Sequence, residues 1–174
     1  MDDALDVTTT LAENVRRARS YGRSRLMVVV SADNCPGCEQ LAEQLGQPPL
    51  RQLLLESAYV CRLKVGDLYA NPPSSIRIGS WTLRSPGFPT SWLWDIDDDG
   101  LHFVALALGP LSHHEPEDDI SRLLAGTSYR VPEAAGITIR ATSPDQDHPL
   151  DESNGYWARF SVPLEQLEDS SSQQ

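Results

Sequence analysis

The sequence predicts an α/β domain: a central mixed sheet of about four strands with helices on both faces, followed by a C-terminal extension. Three observations carry this. The apolar, β-branched run Leu26-Met27-Val28-Val29-Val30 leads through Cys35-Pro36-Gly37-Cys38 into a helical pattern ending near Leu45. The stretch Tyr59 to Val65 alternates, with Val60, Cys61, Leu63 and Val65 apolar and Arg62 and Lys64 charged, so a βαβ unit is in place. Thr90–Ile96 and Leu101–Leu108 read as strands around Asp97-Asp98-Asp99-Gly100, whose closing Asp-Gly is a hairpin signal.

In chain order, Thr8–Ser20 is expected to be a helix. Leu11, Val15 and Ala18 make one stripe, Thr8, Thr9 or Thr10 supplies a cap, and Thr10 with Glu13 has capping-box spacing. Tyr21-Gly22 ends it. Arg25–Ser31 is the first strand, and its unbroken apolar run predicts burial on both faces. The second helix begins at the Cys-x-x-Cys and stops at Gly46. Pro48-Pro49 reads as a turn, and Leu50–Ser57 as a short helix with Leu50, Leu53 and Leu54 apolar. Asp67–Ser85 reads as a loop centred on Asn71-Pro72-Pro73-Ser74-Ser75, with strand character over Ile76–Leu83. Glu115–Leu124 is the closing helix. Pro116 suits its first turn, Ser112 with Glu115 fits a capping box, and the acids Glu115, Glu117, Asp118 and Asp119 complement its dipole. After Thr127 two strand-like pieces, 136–141 and 156–162, flank a polar Pro- and Asp-rich stretch over 142–155. The tail 169–174 is expected to be disordered.

The chain has 174 residues and a net charge of −11, of which −6 falls in residues 141–174. That balance argues against a nucleic-acid surface or an anionic membrane as partner. Lys64 is the single lysine among 14 basic residues, which reads as compositional bias. No segment has the roughly 18 consecutive apolar residues of a membrane helix. The acidic start Met1-Asp2-Asp3-Ala4-Leu5-Asp6 is unlike a secretory signal, so a cytoplasmic protein is expected. Three cysteines, two of them in one Cys-x-x-Cys, do not make a disulfide scaffold. Such a pair is redox-active, metal-binding or an inert structural thiol pair.

Two motifs in order narrow the choice. Cys35-Pro36-Gly37-Cys38 after its strand, and Gly87-Phe88-Pro89-Thr90 leading into Ser91-Trp92-Leu93-Trp94-Asp95, together resemble the thioredoxin superfamily over residues 8–126. The helix Leu50–Ser57 followed by Tyr59-Val60 is most similar to thioredoxin-like proteins akin to the periplasmic domain of the bacterial disulfide-interchange transporter. The resemblance implies a thioredoxin-like fold and thiol–disulfide exchange. It implies that Pro89 is a cis-proline beside the redox pair and that the backbone of Phe88 pairs with substrate as an added strand. The chain departs from the family at three places. Asn34 stands where the family has Trp, Val29 where it has a buried Asp, and the dipeptide is Pro36-Gly37, not Gly-Pro. The resolving thiol thereby lacks the family's usual proton acceptor.

Cys35, at a helix N-cap, faces unpaired N–H groups and the positive dipole end, which favour its thiolate, while Asp33 and Glu39 oppose it. Cys35 is therefore the expected nucleophile and Cys38, one turn inward, the resolving thiol. Pro36 fits the first helical position, and Gly37 is expected to leave the surface bare for substrate. Phe88, Trp92 and Trp94 are read as an apolar rim or as plain core, and Cys61 as a buried free thiol. A zinc site built from Cys35, Cys38 and Cys61 lacks a fourth ligand at suitable spacing; His113 or His114 could supply one, but two adjacent histidines before a helix are more often solvated, and a calcium loop at Asp95–Gly100 would carry Leu106 at its bidentate position. The expected activity is reduction of protein disulfides, with no bound cofactor, a disulfide-containing protein as substrate, and a thiol or reductase as electron donor. The alternative is a non-catalytic thioredoxin-fold binding or assembly module that uses its acidic extension.

Overall fold

The computed structural model describes residues 5–67, 75–84, 89–111, 116–125, 129–130, 140–142, 147–149 and 161–167. It is a mixed α/β structure with two sheets. Its elements are β1 (Leu5–Asp6), α1 (Thr8–Ser20), β2 (Arg25–Asp33), α2 (Pro36–Leu45), α3 (Pro48–Ser57), β3 (Tyr59–Asp67), β4 (Ser75–Ile78), β5 (Trp81–Arg84), β6 (Thr90–Asp97), β7 (Gly100–Leu108), α4 (Pro116–Leu124), β8 (Tyr129–Arg130), β9 (Arg140–Thr142), β10 (Asp147–Pro149) and β11 (Ser161–Pro163).

The larger sheet runs β11-β7-β6-β2-β3, with β8 also paired to β7. Strands β2 and β3 are parallel, whereas β2 with β6 and β6 with β7 are antiparallel. The continuous apolar run of β2 has the expected consequence. Leu26, Val28 and Val30 enter one core, and Met27 and Val29 enter the other. Leu11, Val15 and Ala18 of α1 and Ile76, Ile78 and Trp81 of the smaller sheet close the first core. Leu41, Leu50, Leu54, Ile120 and Leu123 of α2, α3 and α4 close the second.

A register shift between Leu93 and Trp94 of β6 leaves Val104 of β7 as an extra residue. Because side chains alternate along a strand, one extra residue exchanges the faces. Leu101 and Phe103 accordingly lie in the first core, while Ala105 and Ala107 lie in the second. The small alanines sit under the helices, and the bulky residues meet the tryptophans. Trp94 packs edge-on against Phe103 at 5.2 Å between ring centroids.

Several local expectations are corrected. Helix α1 is not capped by a threonine. Val7 is its N-cap, the Thr8 N–H donates to Asp6 Oδ1 (2.9 Å), and Glu13 pairs with Arg17 (2.7 Å). Thr8 Oγ1 instead accepts from the Gly79 N–H (2.7 Å), tying α1 to the smaller sheet. Pro48 and Pro49 do not form a turn but open α3, where a missing N–H costs nothing. The strand character over Ile76–Leu83 resolves into the hairpin β4–β5. That hairpin belongs to a second sheet, ordered β1-β4-β5-β9-β10, so the fold holds more strands than the about four expected. Part of the polar stretch after Thr142 is the strand β10. The strand-like pieces expected over 136–141 and 156–162 are met by β9 and β11 at their C-terminal ends. The capping box at Ser112 and Glu115, His113, His114 and the tail 169–174 lie outside the described residues.

Candidate functional site

Strand β2 emerges from the sheet at Asp33, and Asn34 turns the chain with φ of 56°. Asn tolerates this left-handed conformation better than most non-glycine residues, so the turn explains the residue type found before the first cysteine. Cys35 is extended (φ −117°, ψ 100°) and forms the N-cap of α2. Its Sγ accepts the Cys38 N–H at 3.1 Å, the position an N-cap serine oxygen would take. Pro36 is the first helical residue, as expected.

Cys35 and Cys38 are joined in a disulfide, with their Cα atoms 5.2 Å apart. Cys35 is 2% and Cys38 3% exposed, so the pair is enclosed. Val29 lies in the core beneath α2 with Met27 and Leu41. Asp33 forms an exposed ion pair with Lys64 (3.0 Å), which offsets its negative charge near Cys35.

Pro89 comes to the same place from β6. A Cβ built on Gly37 would meet Pro89 Cδ at 3.3 Å and Pro110 Cδ at 3.7 Å. Gly37 therefore does not leave a bare surface. An added Cβ would press on the Pro89 ring, which would have to give by a few tenths of an ångström, and would lie in ordinary contact with Pro110. Pro110 and its neighbours were not singled out from the sequence. The Gly109 N–H donates to Pro89 O (2.9 Å). Gln44 of α2 clasps Leu111 with both ends of its amide, Nε2 to the carbonyl and Oε1 to the N–H, each at 2.9 Å. The only sequence signal for this was the pairing of Gly109 with Pro110 directly after a strand.

Thus Cys35, Pro36, Gly37, Cys38 and Pro89 share one site, and Phe88 lies outside the described residues. Trp92 and Trp94 are core, not rim, since both are buried among α1, β4 and β7 residues on the opposite face of the sheet from α2. Cys61 lies in that same core as a free thiol and cannot join the pair. Burial pushes its pKa up to about 12, because a thiolate would lose its hydration there. Among the described residues no group of three or more His, Cys, Asp or Glu is placed to hold a metal ion. Among them, too, no helix is long and apolar enough to cross a membrane.

Chemically, the arrangement is a short-range disulfide at a helix N-terminus, beneath a proline that directly precedes the strand β6. No protein-family model, curated protein or solved structure matches this chain.

Proposed function

We propose that the chain is a thiol–disulfide oxidoreductase on a thioredoxin-like domain (residues 8–126), working as a reductase of protein disulfides. The observation that carries this is the Cys35–Cys38 disulfide at the N-cap of α2, with Pro89 packed on Gly37 between the two cysteines. In the reduced protein the Cys35 thiolate attacks one sulfur of a substrate disulfide. A mixed disulfide forms and one substrate thiolate leaves. The Cys38 thiolate then attacks Cys35 Sγ, closing the Cys35–Cys38 bond and releasing the second substrate thiolate. Two electrons pass to the substrate, and a thiol donor or reductase returns them. The backbone at Phe88-Pro89 is proposed to align the substrate chain. Cys61, unpaired and buried, suits a reducing, cytoplasmic setting with no demand for further disulfides.

The enclosure of both sulfurs favours a second reading, in which the disulfide is a structural clasp in a binding module. One set of measurements separates them. Wild type should accelerate insulin reduction by dithiothreitol, and Cys35→Ser and Cys38→Ser should not. Cys38→Ala should accumulate mixed disulfides through Cys35. Equal rates for wild type and both serine variants, with no trapped species, would leave only the structural clasp. The potential of the couple gives direction: near −270 mV, roughly thioredoxin's value, for a reductase, and near −120 mV for an oxidant.

A further inference from the structure

A second candidate site lies at the other end of the sheet. Tyr21, Arg23, Leu55, Ala58, Tyr59 and Val60 line a cavity of about 370 Å³. That volume lies within the roughly 300–1,000 Å³ range of ligand pockets. Among the described residues four large apolar side chains are exposed, and three of them, Tyr21 (70%), Leu55 (54%) and Val60 (36%), line this cavity. Clustering of this kind marks an interaction surface better than scattered apolar residues do. Tyr21 and Tyr59 stack at 5.9 Å, giving the cavity a preformed aromatic wall.

The chemistry around it is directional. Among the described residues Arg23 has no carboxylate at ion-pair distance, its Nη1 donating instead to the backbone carbonyl of Glu56 (3.2 Å). Strand β3 leaves the cavity as the terminal strand of its sheet, so among the described residues its outer backbone edge carries no neighbouring strand. Along one side of it Val60, Arg62 and Lys64 are exposed in alternation. Lys64 is paired with Asp33, so Arg23 and Arg62 are the cations beside the aromatic cavity, in a chain whose net charge is −11.

We propose that this end of β3 binds an extended, acidic peptide segment of a partner protein. The peptide adds as a strand to β3, seats one aromatic or branched apolar side chain in the Tyr21–Leu55–Val60 cavity, and sets carboxylates against Arg23 and Arg62. Main-chain pairing supplies affinity, and the cavity and alternate charges supply specificity. Strand β2 pairs Leu26 with Tyr59 at this end and reaches Asp33 at the other, so the site is separate from Cys35. It stands whatever the redox reading becomes.

The test uses the full chain and three fluorescein-labelled hexapeptides that alternate threonine with other residues. One carries phenylalanine and two glutamates, one phenylalanine and two lysines, and one alanine and two glutamates. The first should bind in anisotropy titrations, weakening as salt is raised. The other two, and the variants Arg23→Gln, Arg62→Glu and Leu55→Glu with the first, should each bind about tenfold or more weakly. No binding of the first peptide at about 1 mM would overturn the proposal. So would equal binding of the lysine peptide, or full competition by N-acetylphenylalaninamide, which would mean a side-chain pocket with no added strand. Self-association that Leu55→Glu abolishes would give the surface to a second copy and overturn it too.

Discussion

At the scale of single residues, two positions carry sharp expectations. Cys61 is neutral and buried, with its pKa raised to about 12. A thiol whose folded pKa exceeds its unfolded value stabilises the fold fully below the unfolded pKa, and that contribution is lost as pH rises toward the folded one. Stability of the wild type should therefore fall between about pH 9 and 12 more steeply than that of Cys61→Ala, in urea titrations across that range. Native oxidised protein should also take up no iodoacetamide at neutral pH. Gly37 is the second position. In Gly37→Ala a gain of about 0.5–1 kcal/mol in helix propensity opposes the push on Pro89, so little net change is expected. Gly37→Val removes that balance and should destabilise by about 1–3 kcal/mol in urea unfolding, because the proline rings must move. The cysteine spacing and the reason for Pro36 were legible in sequence. The reason for Gly37 was not, because Pro89 and Pro110 reach it only through tertiary contact.

At the scale of elements, the short strand β11 is held to β7 by a polar chain. His102 lies opposite Ser161 in register, its Nδ1 is 2.8 Å from Ser161 Oγ, and its Nε2 is 2.9 Å from Asp97 Oδ1. Asp97 Oδ1 also accepts the N–H groups of Asp99 and Gly100, so one carboxylate organises the hairpin turn and the strand tie together. The His102 hydrogen bond, then that from Asp99, lowers the Asp97 pKa below its ordinary 3.8. A depressed carboxyl pKa stabilises the fold above the unfolded value and loses that contribution as pH falls through the folded one. The stability difference between wild type and Asp97→Asn should therefore be present at neutral pH and vanish in acid below the ordinary carboxylate range. A difference that persisted there would show that the carboxylate charge is not what holds the turn. Gly100 shows a second dependence on β11. It has φ of 139°, and an added Cβ would run into the Val162 carbonyl. Gly100→Ala should therefore release β11 and lower the melting temperature, with faster hydrogen exchange at Val162 and Leu164. The Asp-Gly signal located this hairpin correctly, but the glycine answers to a strand some sixty residues later.

At the scale of the whole molecule, the question is whether the chain after Thr127 is an appendage. Val162 and Leu167 lie in the same core as Trp81, Leu101 and Phe103. Trp81 Nε1 donates to Ser161 O (2.8 Å), and Gln166 Oε1 accepts the Ser80 N–H (3.0 Å). Leu167→Ala should therefore cost about 2–5 kcal/mol, as for other buried leucines. Tryptophan fluorescence and far-UV circular dichroism should still report one coincident unfolding transition. A fluorescence midpoint indifferent to Leu167→Ala would mean that the late segment folds apart from the tryptophan core.

The sequence by itself determined the βαβ unit, the β6–β7 hairpin and the cysteine turn. Each is encoded locally, by an apolar run, an alternation or a two-residue turn signal within one stretch of chain. Tertiary structure alone decided the second sheet, since β4 and β5 are short and pair with strands distant in sequence. It also turned Trp92 and Trp94 inward, because only pairing with β2 and β7 determines which face a strand residue takes. The closure of Pro89 and Pro110 over Gly37, the clasp of Gln44 on Leu111, and the cavity between Tyr21 and Leu55 join residues from separate elements. No period or motif in a linear chain records such contacts, because their energy is realised only when the elements are packed together.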